Sequence, residues 1–313
     1  MRRAYSALLY LLIPFVVLRM LWRSRLAPAY RKRLRERLGM IDVSGLDEAA
    51  PRLWVHAVSV GEVLAAAPMI ERLLIDHPQY QLVVTTTTPT GSERVRALFG
   101  QRVFHVYAPW DLPGACARFL RHIRPRLLVI METELWPNML HYTAAQGGQV
   151  LLANARLSAR SARGYARFGS LTSAMLAHVD VVACQAQDDS DRFHALGVPV
   201  DHLRVTGNIK YDVDIDAALQ QSAVAVREAL GANLRPVVVA ASTHRGEDEQ
   251  ILTAFAALRQ QLSASLLVLA PRHPERFDAV FNQCLASGWS VQRRSEAEMI
   301  DAQTDILLVV TLG

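Results

Sequence analysis

"LWVHAVSVGEVLAAAPMIERLL" occupies residues 53–74. Leu53 to Ala57 is apolar except at His56, as a buried strand requires, and Val63 to Asp76 repeats apolar residues at helical spacing. Between them lies Ser59-Val60-Gly61-Glu62. Ser59 and Glu62 fit the capping-box spacing, and a carboxylate in a first turn also suits the helix dipole. A carboxylate at the C-terminal end of an early strand of an α/β protein is equally where catalytic groups sit. Glu62 carries both readings.

Outward from this stretch, the same alternation continues. Strand-length apolar runs fall at Leu53–Ala57, Leu82–Thr86, Val103–Tyr107, Leu127–Met131, Val150–Asn154, Val179–Ala183 and Leu203–Thr206. Helical segments such as 63–76 and 162–176 separate them. Strands that are apolar throughout and spaced by helices indicate a parallel sheet covered on both faces, hence a doubly wound α/β domain. A polar, Asp-rich connection, "TGNIKYDVDID" (206–216), reads as a hinge. A second series follows: helix 217–230, strand 237–241, helix 247–262, strand 266–270, helix 275–287, strand 289–293 and the apolar run 306–310. With about four strands and no closing helix, this second unit reads as incomplete.

The chain of 313 residues has a net charge of +5, but the charge is unevenly placed. Residues 1–37 carry ten Lys and Arg against Glu36 alone, leaving 24 bases and 28 acids to the other 276. The body is therefore mildly acidic, which argues against nucleic acid as a partner. In the leader, residues 4–18 are uncharged, and extension through Arg19 to Trp22 reaches nearly the length that crosses a bilayer. Eight of the ten bases follow the apolar run, so the positive-inside rule puts the body on the cytoplasmic side. An uncleaved anchor is the leading reading; a helix lying in the interface and a signal peptide cleaved near Ala27-Pro28-Ala29 are its alternatives. Cys116, Cys184 and Cys284 lack C-x-x-C spacing and read as buried small hydrophobes in a reducing compartment.

Loops after strands are where such folds hold ligands. In "TTTTPTGSERV" (85–95), hydroxyls and Gly91 suit a phosphate or sugar, but Ser92 as the cap of a helix beginning at Glu93 is the favoured reading. In "METELWPN" (131–138), Glu132 and Glu134 leave a buried strand with no Lys or Arg beside them, which costs free energy unless they are paired or solvated in a cleft. "NARLSARSARGYAR" (154–167) adds arginines at the same sheet edge. In "ASTHRGEDE" (241–249), Ser242 and Thr243 can present hydroxyl and N–H groups to a phosphate at a helix start. In "APRHPER" (270–276), Arg272 and His273 are natural phosphate or base contacts. The chain lacks G-x-G-x-x-G after a strand, G-x-x-x-x-G-K-[ST] and G-x-S-x-G, which removes support from nicotinamide, P-loop and α/β-hydrolase readings. His and Cys do not cluster at metal-ligand spacing.

Seven stretches in order, "HAVSVGE", "TTTTPTG", "METELWPN", "NARLS", "TGNIKYD", "ASTHRGEDE" and "APRHPER", behind a basic leader, resemble the bacterial 3-deoxy-D-manno-octulosonic acid (Kdo) transferase family. The resemblance implies a GT-B fold: two Rossmann-like doubly wound domains facing a cleft, with an N-terminal membrane-anchor helix before them. It divides the chain into residues 1–37 (anchor and basic segment), 38–210 (acceptor-binding domain) and 211–313 (nucleotide-sugar domain). It implies inverting transfer of Kdo from CMP-Kdo to the tetra-acylated, diphosphorylated lipid A precursor at the cytoplasmic face of the inner membrane, in lipopolysaccharide assembly. Glu62 matches the family's base, and Glu132 and Glu134 resemble acceptor-side positions. Pro271 and Arg272 match CMP contacts, and Leu312 and Gly313 match the start of a nucleotide loop. No cofactor and no metal are implied; anionic inner-membrane lipids are implied partners of the juxtamembrane bases. Family members continue past "TDILL" into an acidic-Thr-x-Gly-Glu stretch, where this sequence has Val310. The resemblance is therefore to a C-terminally truncated transferase, and residues 1–313 alone are expected to bind CMP poorly and turn over little. An inactive membrane-tethered fragment and another GT-B enzyme using a UDP-sugar remain the alternatives.

Overall fold

Apolar runs that cannot face water on either side assemble into two parallel sheets in the computed structural model, which describes residues 1–23, 33–47, 49–212, 217–231, 235–296 and 300–309. The chain divides into two units, Met1–Val213 and Asp214–Gly313.

The first unit runs α1 (Arg2–Arg23), α2 (Leu34–Arg37), β1 (Arg52–His56), α3 (Val60–Asp76), β2 (Gln81–Thr86), α4 (Pro89–Phe99), β3 (Phe104–Tyr107), α5 (Pro113–Ile123), β4 (Pro125–Met131) and α6 (Pro137–Ala145). It continues through β5 (Gln149–Ala155), α7 (Ala159–Arg167), α8 (Gly169–Leu176), β6 (Val181–Cys184), α9 (Gln187–Ala195) and β7 (Leu203–Val205). The sheet order is β3-β2-β1-β4-β5-β6-β7, with every pair parallel. All five residues of β1 are buried because both faces of the sheet are covered. Trp54 packs on Phe119 of α5 with ring centroids 5.0 Å apart, while Leu53 and Val55 join Val63, Ile70 and Val95 on the opposite face. Winding proceeds outward from β1 through β2 and β3, then resumes beside β1 with β4. The two neighbours thus send their loops to opposite sides, which opens a crevice at their carboxyl ends.

The second unit runs α10 (Ala217–Ala229), β8 (Val237–Thr243), α11 (Glu247–Arg259), β9 (Leu266–Pro271), α12 (Phe277–Ala286), β10 (Val291–Arg293) and β11 (Ile306–Leu308), with parallel order β10-β11-β9-β8. Leu267, Leu269, Ile306 and Leu308 meet Phe255 and Val280 in its core.

Three expectations change. The helix expected over 162–176 breaks at Phe168, whose ψ of 38° leaves the helical region; the Tyr165 carbonyl there accepts from both the Phe168 N–H at 3.0 Å and the Thr172 hydroxyl at 2.8 Å. Ser92 is not a cap: the helix starts at Pro89, capped by Thr88, whose hydroxyl accepts from the Gly91 N–H, while buried Ser92 accepts from Arg33. The strand expected from Trp289 starts at Val291, because the Ser290 N–H is held by the Asp305 carboxylate and Trp289 packs on Phe255 instead. All three cysteines are free and buried.

Helix α1 is long and apolar enough to cross a membrane over Arg2–Met20, by length and composition. Its start is nevertheless fastened to the body. Ser6 Oγ lies 3.2 Å from Asn138 Oδ1, and Arg2 donates to the same oxygen at 3.0 Å. A stripe at helical spacing, including Tyr5, Leu9, Ile13 and Val17, is half-buried, whereas Leu11, Phe15, Leu18 and Trp22 are exposed. Within the basic segment, Arg33 and Arg37 lie over the Tyr107 ring at 4.7 and 4.3 Å, so these two charges are spent on the body.

Asn138 is itself held by Asp111. The Asp111 carboxylate accepts from the Asn138 and Met139 N–H groups at 3.0 and 2.7 Å, serving as the N-terminal cap that Trp136, at the N-cap position of α6, does not supply. Asp111→Ala leaves two buried N–H groups unpaired, and the expected loss of unfolding free energy is about 2–4 kcal/mol. A denaturant midpoint equal to that of the parent would contradict this role.

Candidate functional site

The loops after β1 and β4 flank the reversal of winding, and they carry the acidic residues singled out by the sequence. Ser59 is the N-cap of α3, with extended backbone, and its hydroxyl accepts from the Glu62 N–H at 3.4 Å. The Glu62 carboxylate returns to the chain N-terminal of the helix, accepting from the Val58 N–H at 2.7 Å and from the Ser59 hydroxyl at 3.1 Å. A capping box would take the N-cap N–H; here the carboxylate reaches one residue further back. The result is a carboxylate 8% exposed, whose pKa is raised to about 7. Burial is the main cause, the two hydrogen bonds oppose it, and the charges of Glu134 and Glu132 add to it.

Glu132 follows β4 with φ of 58°, a left-handed conformation uncommon for a residue with a Cβ. Its N–H is tied to the Ala153 carbonyl of β5 at 2.9 Å, which holds the turn, and its carboxylate meets Lys210 Nζ at 3.1 Å. Glu134 accepts from Trp136 Nε1 at 2.9 Å. The structure therefore brings Glu62, Glu132 and Glu134 into one electrostatic neighbourhood, with a compensating charge drawn from "TGNIKYD" rather than from an arginine.

Lys210 reaches Glu132 because Asn154 positions its loop. Asn154, also left-handed at φ 53°, lies near the end of β5 and accepts the Ile209 N–H on Oδ1 at 3.1 Å. Neither Lys210 nor Asn154 was among the residues singled out from the sequence, although both lie in stretches the resemblance quotes. His56, 1% exposed, closes the floor: Nδ1 lies 2.9 Å from Thr85 Oγ1, burial pushes its pKa down to about 4, and its ring stands edge-on to Trp136. At neutral pH this histidine is uncharged.

The second unit gathers another group where β8 and β9 end side by side, with Thr243 in register with Pro271. Ser242 is exposed and left-handed at φ 59°, and Arg272 is exposed, its N–H donating to the Thr243 carbonyl at 3.1 Å. Pro271 is buried. The Thr243 hydroxyl is not free for a phosphate: it donates to buried Asp248 at 2.7 Å, and Arg276 holds both the Asp248 carboxylate and the Thr243 carbonyl. Glu247, Asp248 and Glu249 fill the first turn of α11, and Glu247 caps the His244 N–H at 2.7 Å. The carboxylates of that first turn disfavour an anion at the helix start, and Ser242 and Arg272 are exposed beside it together with His244, Arg245 and His273. Leu312 and Gly313 lie outside the described residues.

Residues 32–213 match the family described as 3-Deoxy-D-manno-octulosonic-acid transferase (kdotransferase). The 3-deoxy-D-manno-octulosonic acid transferase of Haemophilus influenzae is 40% identical over 309 residues, 99% of this chain and 72% of that protein. The protein of the same name from Bordetella pertussis is 38% identical over 275 residues, 85% of this chain and 62% of that protein. Among solved structures, UDP-GlcNAc 2-epimerase from Neisseria meningitidis is similar with a TM-score of 0.56 and 11% identity, over 84% of this chain and 72% of that one, a likeness of fold alone.

The raised pKa of Glu62 links its proton to stability. The folded state binds this proton more tightly than the unfolded chain, whose glutamate titrates near 4.5, so the contribution is complete below about 4.5 and is lost as pH rises through about 7. Glu62→Gln keeps an acceptor for the Val58 N–H and removes the titration. Denaturant unfolding between pH 4 and 8 is expected to show a flatter dependence in the variant, by on the order of 2–3 kcal/mol; parallel curves would place the Glu62 pKa near its ordinary value.

Proposed function

The chain belongs to the Kdo transferase family of glycosyltransferases, and from that premise we propose that it moves Kdo from CMP-Kdo to the tetra-acylated, diphosphorylated lipid A precursor, with Glu62 as the base. The observation that carries this reading is a buried carboxylate poised near neutral pH at the point where the winding of the sheet reverses. A general base works best with a pKa close to the operating pH, and a glutamate reaches that value only by burial and like charge.

Glu62 takes the proton of the acceptor hydroxyl as its oxygen attacks the anomeric carbon of Kdo. The bond from that carbon to the phosphate oxygen breaks, CMP leaves with the electron pair, and the configuration inverts in one displacement. Glu132 and Glu134 act from the acceptor side by holding the Glu62 proton affinity up, and Lys210 moderates them by pairing Glu132. On the donor side, Arg272 is the exposed cation and Ser242 the exposed hydroxyl for the phosphate of CMP, beside buried Pro271. Leu312 and Gly313 enter this reading through the family resemblance alone.

The same reading puts the protein at the cytoplasmic face of the inner membrane, with anionic lipids as partners. The start of α1 bears on the body, where Arg2 and Ser6 bond to Asn138. That favours a helix lying in the interface, with Leu11, Phe15, Leu18 and Trp22 toward the acyl region, over one that crosses the bilayer.

A single-turnover assay with protein in excess of CMP-Kdo tests the chemistry even where turnover is slow. Transfer is expected from CMP-Kdo, with CMP competing and UDP not. Glu62→Gln is expected to lower the rate by about 10²–10⁴-fold, the usual worth of a general base. An unchanged rate in that variant would reduce Glu62 to a helix cap, and transfer from a UDP-sugar alone would overturn the donor. Lys210→Met leaves Glu132 unpaired, so the lower limb of the pH–rate profile is expected to move to higher pH; a profile that stays in place would separate Lys210 from the base.

A further inference from the structure

An apolar opening in the first unit lies between the start of α1, the loop after β4 and the pair α7–α8. It is a groove of about 740 Å³ lined by residues that include Tyr5, Leu8, Leu135, Tyr165, Phe168 and Leu171. That volume is within the roughly 300–1,000 Å³ of ligand sites, yet the lining carries almost no polar group to hold a soluble metabolite. We propose that this groove receives an acyl chain of the acceptor glycolipid, so that one chain leaves the bilayer along α1 and sets the phosphorylated sugar beside the Glu134 loop.

Three observations point to that occupant. The wall from α1 is fixed, because Arg2 and Ser6 bond to Asn138 and Asn138 is held by Asp111, so the groove exists before a ligand arrives. Beyond the groove, α1 exposes Leu11, Phe15 and Leu18, and Phe168 at the rim is 63% exposed; this apolar track gives an acyl chain continuous contact from a lipid phase to the cavity. The far end is shared with the candidate site. Leu135 of the lining lies in the loop that carries Glu134 and Pro137 opens the helix after it, and the Tyr165 phenol is close enough to Glu134 for that charge, after burial, to raise its pKa.

Charge separates an acceptor from bulk lipid as the occupant. Arg160, Arg163 and Arg167 of α7 are exposed and form no ion pair among the described residues, while Ser161, Gly164 and Tyr165 of the same helix line the groove. One helix thus offers apolar lining on one face and three cations beside it, the pattern that suits an acylated sugar phosphate. This inference rests on the acceptor being a glycolipid, as proposed above.

Gly164 gives the test. A Cβ built there meets nothing within 4 Å, so a side chain can be added at this lining position without a clash at its root, and a large one is expected to narrow the groove. The probe is a tetra-acylated glucosamine disaccharide bisphosphate with a diazirine at the end of one acyl chain, irradiated with the full chain in phosphatidylethanolamine nanodiscs and mapped by mass spectrometry. Adducts are expected on residues 1–8 and 161–175, lowered at least ten-fold in Gly164→Trp and unchanged in Gly164→Ala. Gly164→Leu serves if the Trp variant melts early. Excess unlabelled glycolipid is expected to displace the probe, and phosphatidylglycerol at the same mole fraction is not. Equal labelling in the filled groove, or adducts elsewhere, would overturn the site; equal displacement by phosphatidylglycerol would make it a bulk-lipid groove. The labelling needs no transfer, so adducts in the groove without Kdo transfer would fault the proposed reaction and leave the groove standing.

Discussion

The reversal of winding between β1 and β4 is the constraint on which the rest of the first unit depends. Two adjacent parallel strands whose connections leave in opposite directions cannot close over their own carboxyl ends. The loop bearing Glu62 and the loop bearing Glu132 and Glu134 are therefore left facing a common space, although some seventy residues part them. That geometry is built on a strand whose five residues are all buried. The helix cap at Ser59 and the left-handed turn at Glu132 are local adjustments that aim side chains into the opening.

Concentrating three carboxylates in one place is electrostatically unfavourable, and the protein meets that cost unevenly. Lys210 pairs Glu132, the Trp136 indole serves Glu134, and Glu62 has only neutral donors. The least compensated group, Glu62, is the one whose proton affinity burial raises. The capping of the chain and the raised proton affinity of Glu62 thus share one set of hydrogen bonds: the donors that fix the carboxylate are too weak to offset burial.

Sequence pattern reached the alternation of strands and helices because each buried strand is apolar throughout, and it reached the Ser59–Glu62 relation because that relation spans three residues. It did not reach Lys210 as the partner of Glu132, since the two are 78 residues apart and meet only through the order β4-β5-β6-β7 and the Asn154 side chain. Thr243 looked available because a hydroxyl is judged by its neighbours in the chain; Asp248 claims it from the next helix turn. Ser92 was the avoidable error. Pro89 occupies the first helical position directly after Thr88, the pattern that marks a helix start, so the helix began four residues earlier than expected.

The fastening of α1 to Asn138 bears on more than the anchor. A helix joined to its domain by a flexible tether lets the domain tumble at any height and tilt above a lipid surface. A helix bonded at its start loses part of that freedom, because its first turns cannot swing away from the first unit. Under the proposed function, an amphiphile in the leaflet would reach the groove beside that helix by sliding in two dimensions. The relation between that helix and the groove it lines is set once, when the chain folds.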